Sequence, residues 1–183
     1  EKSTPATIKT KFDFDYHREF LYTEVMICKD PDADELIWEK PRTMCEGFMR
    51  NKPIVTSSGT IIAPAYDYQG FQYMLRVSTD GGQNFCNVAV NGKPDACIFD
   101  EITVCELSPL NLRFLARTNR GYYVYSDSFD DGCTWSEAKE YEKAPGSRCF
   151  FGKLGNGTVA YVRNVSATQR NGMKICISTD GGS

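Results

Sequence analysis

Short apolar runs alternate with clusters of turn residues along most of the chain, and this pattern predicts an all-β fold. The clearest group has β-branched and aromatic runs at 102–107, 112–118 and 122–127, separated by turns at 108–111 and 119–121. No segment has the periodicity of a helix. Similar runs occur on either side of this group, at 53–56, 60–66, 72–77, 148–154, 158–163 and 173–177. Each group of three runs, together with an outer strand that follows it, predicts an antiparallel sheet of four short strands.

One eight-residue turn recurs at an interval of 50 residues, at 78–85 (STDGGQNF), 128–135 (SFDDGCTW) and, incomplete, 178–183 (STDGGS). We call these three segments the box turns. In each, the Asp carboxylate can accept hydrogen bonds from N–H groups further along, and Gly can adopt a positive φ. A fixed period of this length indicates a propeller or another repeat architecture. We therefore assign Asp80, Asp130 and Asp180 a structural role.

The box turns resemble the Asp box, or bacterial neuraminidase repeat, of the sialidase superfamily. That resemblance implies a six-bladed β-propeller with four-stranded antiparallel blades, of which about three are present. We place blades at 48–95 and 96–143 and an incomplete blade at 144–183. For the N-terminal segment, 1–47, a place in a preceding blade is one interpretation. Because three blades cannot close a ring, we expect the chain to be the middle of a longer protein.

Composition narrows the choice of partners. The 183 residues carry a formal net charge of −3, which gives no basic field for nucleic acid. No apolar run approaches the roughly 18 residues that a membrane span requires. With one histidine and no C-x-x-C motif, we expect neither a metal nor another cofactor. Among the eight cysteines, Cys86 and Cys97 flank a polar turn and are the best candidates for a disulfide.

Repeat register also indicates where a ligand would bind. The connection that enters the innermost strand of a blade lines one mouth of the central channel, where propellers usually bind ligands. Arg50, Glu101 and the pair Ser147-Arg148 fall at this point in three successive blades. We therefore take Arg50 and Arg148 as candidate substrate-binding residues.

A second resemblance concerns Glu101 and Arg117, which are 16 residues apart. The spacing is similar to that of the sialidase pattern E-x-x-V-V-E-L-x-D-G-x-L-x-x-x-x-R. It implies that Glu101 is the base paired with a tyrosine nucleophile, and that Arg117 and Arg170 bind the substrate carboxylate. Arg163 is the alternative to Arg170, because it lies six residues after a turn, as Arg117 does. Asp100 is a further candidate for substrate binding.

This resemblance implies an exo-α-sialidase, a retaining glycoside hydrolase that removes terminal sialic acid from glycoconjugates. We expect such a protein to be secreted, periplasmic or at the cell surface, with its signal segment outside this chain. The catalytic tyrosine and aspartate of the family match no segment here, so we expect the fragment alone to be inactive. Two alternatives remain open: another glycosidase or polysaccharide lyase acting on an acidic carbohydrate, and a non-catalytic propeller that binds carbohydrate or protein.

Overall fold

The computed structural model describes residues 22–47, 49–65, 71–95, 97 and 101–181. These residues form strands joined by turns, and none of them lies in a helix. Accordingly, the described residues contain no helix that is long and apolar enough to cross a membrane. The strands are β1 (Tyr22–Val25), β2 (Arg42–Glu46), β3 (Ile54–Val55), β4 (Ile61–Ala65), β5 (Tyr73–Ser78), β6 (Cys86–Val90), β7 (Ile102–Ser108), β8 (Asn111–Arg117), β9 (Tyr122–Ser128), β10 (Lys139–Lys143), β11 (Phe150–Lys153), β12 (Val159–Asn164) and β13 (Met173–Ser178).

The chain divides into two compact units, with the boundary at Phe48. In the described part of the first unit, β1 and β2 pair in antiparallel fashion with an irregular register after Thr23. The Thr23 hydroxyl donates to the carbonyl oxygen of Gly47 over 3.0 Å, which ties the two ends of this hairpin together. The loop between the strands is exposed and carries an ion pair between Lys29 and Glu39, with Nζ 3.4 Å from Oε1.

The second unit contains three antiparallel sheets in chain order. The first sheet is β3-β4-β5-β6, the second is β7-β8-β9-β10, and the third is β11-β12-β13 within the described residues. In each sheet every strand pairs with its neighbour in sequence, so the strands form consecutive antiparallel hairpins. The prediction of an all-β fold is confirmed, and that of four-stranded antiparallel sheets is confirmed for the first two sheets.

The second sheet is buried on both faces, which explains the nearly continuous apolar sequence of β7 and β8. Successive side chains of a strand point to opposite faces. On one face, the side chains of the second sheet pack against those of the first sheet. The largest residues of this shared core are Tyr73, Phe114, Ile62, Leu75 and Leu112. On the other face, they pack in a second core with the third sheet, and its members are Cys105, Leu115, Tyr123, Ala144, Cys149, Phe151 and Val159.

The box turns lie where β5 and β9 end, and each is held by its own serine and aspartate. In the first, the Ser78 hydroxyl and the Asn84 N–H donate to Asp80 Oδ1 over 2.7 and 2.9 Å. The second has the same arrangement, with Ser128 and Thr134 donating to Asp130 over 2.8 Å each. In the third, the Ser178 hydroxyl donates to the carboxylate of Asp180.

Asp131 joins the second box turn to the first sheet. Where the other two box turns have glycine, this residue adopts a left-handed φ of 60°, which is unfavourable for most side chains. Its Oδ2 accepts hydrogen bonds from the hydroxyls of Ser58 and Thr60, in the β3–β4 turn. Burial alone would raise the pKa of Asp131, but these hydroxyls outweigh that effect and the pKa is lowered.

None of the eight cysteines, all of which lie among the described residues, forms a disulfide, so the expected disulfide between Cys86 and Cys97 is wrong. Cys86 is the exposed first residue of β6, whereas Cys97 is buried beyond the other end of that strand. The five residues of β6 extend over more than 10 Å from Cys86 to the end of the strand, whereas a disulfide requires the two Cα atoms to lie within about 7 Å. The polar turn between the two cysteines therefore does not bring their side chains together.

Candidate functional site

Glu101 and Arg117 face each other across two antiparallel strands. Ile102 at the start of β7 pairs with Ala116 of β8, and the Arg117 N–H donates to the Glu101 carbonyl oxygen over 3.3 Å. Residues that oppose each other in this way project their side chains to the same face. The 16-residue spacing is thus the spacing of a cross-strand pair that is closed by a tight turn.

The two side chains form a nearly buried ion pair. Nη1 of Arg117 lies 2.8 Å from Oε2 of Glu101, and the two side chains are 11% and 9% exposed. Arg148 also approaches this oxygen, with its Nε at 4.0 Å. Among the described residues, both ion-pair contacts of the Glu101 side chain fall on Oε2.

Arg148 reaches Glu101 from the connection that enters β11. The pair Glu101–Arg117 lies on the face of the second sheet that packs against the third sheet, and Arg148 precedes the inner strand of that third sheet. Arg148 is half exposed, and its Nη1 donates to the carbonyl oxygen of Arg50 over 3.4 Å. The segments that lead into β3, β7 and β11 therefore contact one another through Arg148.

Arg170 lies in the exposed loop 165–172 between β12 and β13. Its Nη2 donates to the carbonyl oxygen of Gly146 over 2.6 Å, which places the loop beside the turn that carries Arg148. The structure thus links Arg50, Arg117, Arg148 and Arg170 to Glu101 through successive contacts. Only the guanidinium groups of Arg117 and Arg148 approach the carboxylate itself. Arg50 and Arg170 are joined to the Arg148 segment through backbone carbonyl groups. We call these four residues the arginine cluster, and such a concentration of positive charge attracts an anionic ligand.

Arg163 is not part of this cluster, because the proposed repeat counterpart of Arg117 is wrong by one residue. Ser128 pairs with Leu112 and Ser178 pairs with Val159, so counting along each strand makes Asn164 the counterpart of Arg117. A shift of one residue turns a side chain to the opposite face of the sheet. Arg163 accordingly faces the second sheet, where its Nε lies 2.8 Å from Oε1 of Glu142.

Glu142 and Tyr161 have the residue types of a glutamate–tyrosine catalytic pair, yet they lie in a packed interface between the second and third sheets. The Tyr161 hydroxyl donates to Oε1 of Glu142. Burial, together with this hydrogen bond, raises the pKa of Tyr161 well above its ordinary value. Since a nucleophilic phenol needs a lowered pKa or an available base, this pair acts as a structural contact.

A cavity of about 420 Å³ lies among the first strands of the three sheets, β3, β7 and β11. Its wall is formed by three short segments, one from each sheet: residues 51–55, 103–106 and 150–153. Asn51, which lines this cavity, donates from its side-chain amide to the carbonyl oxygen of Ile102 over 2.6 Å. The side chains of Lys52, Glu106 and Lys153 give the cavity a mixed polar lining.

The remaining candidates lie elsewhere. Asp100 is outside the described residues. Asp80, Asp130 and Asp180 are at the opposite ends of their strands from Glu101, since the box turns follow the ends of β5, β9 and β13. Across the described segments, no group of three or more His, Cys, Asp or Glu side chains is arranged to hold a metal ion.

Two polar residues near the site, Tyr123 and Asn164, were missed in the sequence, and both connect to Ser147. The Tyr123 hydroxyl lies 3.4 Å from Oγ of Ser147, which in turn donates to Oδ1 of Asn164. The available signal was the serine directly before Arg148. Asn164 gave none, because the differing lengths of the turns hid its place in the repeat.

Comparison with known proteins agrees with this architecture. A family model described as a BNR repeat-like domain matches residues 30–183. No curated protein matches the chain. The chain belongs to the BNR repeat-like family, and the predicted membership among BNR-repeat proteins is confirmed.

Several solved structures have a similar fold. One is a mutant of the NanB sialidase from Streptococcus pneumoniae, with a TM-score of 0.63, 21% identity, and coverage of 77% of this chain and 24% of that one. An intramolecular trans-sialidase from Ruminococcus gnavus has a TM-score of 0.64 and 20% identity, with coverage of 85% of this chain and 36% of that one. A Trypanosoma rangeli sialidase has a TM-score of 0.53 and 15% identity, with coverage of 86% of this chain and 30% of that one. At these identities the similarity defines the fold, and the chain spans well under half of each protein.

Proposed function

We propose that the complete protein to which these residues belong is an exo-α-sialidase built on a six-bladed propeller, and that the three sheets are consecutive blades. The observation that carries the proposal is the nearly buried pair of Glu101 and Arg117, with Arg148 approaching the same carboxylate oxygen. The sialidase fold of the neighbouring structures supports it.

In this proposal the arginines bind the carboxylate of the sugar. A guanidinium group stays charged at any working pH and can donate two parallel hydrogen bonds to a carboxylate. Arg117 is held in place by Glu101, so little side-chain entropy is lost when a ligand binds. Arg170 and Arg148 border the same region on two loops of the third sheet, and Arg50 lies next to Arg148.

Glu101 would act as a general base. Its Oε2 is bound by Arg117, and Oε1 would take a proton from a tyrosine hydroxyl supplied by another part of the protein. A neutral phenol suits this substrate, because an anionic nucleophile would be repelled by the carboxylate on the anomeric carbon. The tyrosine would attack that carbon and form a glycosyl-enzyme intermediate, which water then hydrolyses with retention.

The first test concerns the base. We expect the complete protein to release a fluorophore from an α-sialoside, and Glu101→Gln to lower kcat/KM by at least about a hundredfold, because the amide cannot accept the proton. The matched control is Glu106→Gln on the same strand, whose carboxylate binds Ser57 at the far end of β7. Equal activity of the two variants would contradict the role of Glu101.

The second test concerns carboxylate binding. Arg117→Ala should lower kcat/KM by about a hundredfold, through loss of a charge-assisted contact to the substrate. Arg113→Ala is the matched control, since Arg113 is also ion-paired on β8, with its Nε 2.6 Å from Asp127. Unchanged activity in Arg117→Ala would remove this arginine from the site.

The second candidate function is a propeller that binds an acidic carbohydrate without cleaving it. It is favoured by the same ion pair, because Arg117 already neutralises the carboxylate that catalysis requires. A protein that binds N-acetylneuraminic acid in calorimetric titration but releases no fluorophore from any α-sialoside would establish this alternative. In that case Glu101→Gln should leave the affinity within about threefold of the wild type.

A further inference from the structure

We propose that Asn164 is a positioning residue that fixes Arg148 and Arg170 at the binding site. This inference rests on the proposed function and assigns a role to a side chain outside the arginine cluster. It starts from the register of the third sheet, in which Phe150 pairs with Val162. Extending that register by two residues places Asn164 opposite Arg148, as Arg117 is opposite Glu101.

The amide of Asn164 connects two segments that are distant in sequence. Its Oδ1 accepts a hydrogen bond from the Ser147 hydroxyl, in the turn before β11. Its Nδ2 donates to the carbonyl oxygen of Gly172, at the end of loop 165–172, over 3.2 Å. The residue is only 8% exposed, so these hydrogen bonds are largely shielded from water.

Each of these segments carries an arginine of the site. Arg148 directly follows Ser147, and Arg170 lies two residues before Gly172. Arg170 itself donates to the carbonyl oxygen of Gly146 over 2.6 Å. Together with the amide of Asn164, this contact closes a ring of hydrogen bonds that joins the two segments, so the backbone at Ser147 and the side chain of Arg170 are held relative to each other.

The second sheet anchors this ring. Tyr123 is almost fully buried, and its hydroxyl lies 3.4 Å from Oγ of Ser147. Since Tyr123 is two strands away from Glu101 in the same sheet, the ring is fixed relative to the carboxylate as well. Asn164 therefore sets the distance between Arg148 and Glu101 through Ser147, without touching the substrate.

The test compares two asparagines of the same loop region in the complete protein. Asn164→Ala should raise KM for an α-sialoside about tenfold with kcat changed less than about threefold, because the arginines bind the carboxylate before and during the reaction. Asn171→Ala is the matched control, since the exposed Asn171 amide donates only to Gln169. Ser147→Ala should reproduce the effect of Asn164→Ala, and Ser147→Thr, which keeps the hydroxyl, should restore KM.

Two further readouts separate the possible failures. Hydrogen exchange should become faster in Asn164→Ala at both 146–149 and 165–172, whereas Asn171→Ala should affect the loop alone. If exchange rises at both segments and KM and the affinity for N-acetylneuraminic acid stay as in the wild type, Asn164 is structural and the inference is overturned. A wild-type protein that neither cleaves sialosides nor binds this sugar overturns the proposed function instead.

Discussion

Asp80 shows how one side chain can be fully occupied by local structure. Its pKa is lowered to about 2, first because the Asn84 N–H donates to it, and then because the Asn84 amide and the Ser78 hydroxyl do so as well. The charged form is therefore favoured in the folded state. Glu101 differs, because its ion pair with Arg117 uses one oxygen and joins two strands at the other end of a sheet.

The lowered pKa of Asp80 leads to a prediction about pH. Its hydrogen bonds stabilise the folded protein above the ordinary pKa of 3.8, and this contribution should disappear as the pH falls towards 2. Asp80→Asn should therefore lower Tm at pH 6, and the difference from the wild type should vanish near pH 2. Thermal unfolding followed by circular dichroism measures it, with the exposed Asp95→Asn as control. A difference that persists unchanged at pH 2 would contradict this assignment.

Strands and turns decide which face a side chain occupies. The strand limits read from the sequence, 102–107 and 122–127, differ by one residue from β7 (Ile102–Ser108) and β9 (Tyr122–Ser128). The same small error has a large effect in β12, where it exchanges Arg163 for Asn164. The turn after β7 has two central residues, whereas the turn after β11 is longer, with Leu154 and Thr158 bonded across it. Counting from a turn therefore fails when turn lengths differ.

A prediction at this level concerns Asp131, which connects the second box turn to the β3–β4 turn. We expect Ser58→Ala and Asp131→Ala each to lower the free energy of unfolding by about 1–2 kcal/mol, since each removes a charge-assisted hydrogen bond. The double variant should lose about 1 kcal/mol less than the sum of the two single effects.

Urea unfolding of the four proteins in this double-mutant cycle gives the coupling energy. The control cycle combines Ser58→Ala with Asp130→Ala in place of Asp131→Ala. The Asp130 carboxylate accepts hydrogen bonds from Ser128 and Thr134 rather than from Ser58. Its coupling with Ser58→Ala should be close to zero. Equal coupling in the two cycles would show that Asp131 does not join the sheets.

The three sheets of the second unit depend on one another, because the second sheet is buried by the first on one face and by the third on the other. The third sheet differs, because apolar side chains of β13 are exposed. Met173, Ile175 and Ile177 of this strand are all more than half exposed. A row of apolar side chains on a strand is a typical surface for association with another chain or sheet.

We therefore predict that residues 1–183 expressed alone will self-associate and will not cleave sialosides. Light scattering after size exclusion measures the mass, and the fluorogenic α-sialoside measures the activity. Ile175→Lys should reduce the self-association, because it places a charge in the centre of the exposed row. A monomeric fragment that melts sharply and cleaves the substrate would show that no further part of the protein is needed.

The sequence by itself determined the all-β fold, the positions of the first three strands of each sheet in the second unit, and the box turns, because these depend on local patterns of apolar, glycine and aspartate residues. It also determined the pair of Glu101 and Arg117, since a fixed spacing in a hairpin is a local property. Only the tertiary structure decided that Arg148 approaches Glu101, that Arg163 faces Glu142, and that Asn164 joins two loops. Those contacts depend on the register and on packing between sheets, where one residue of shift reverses the face of a side chain.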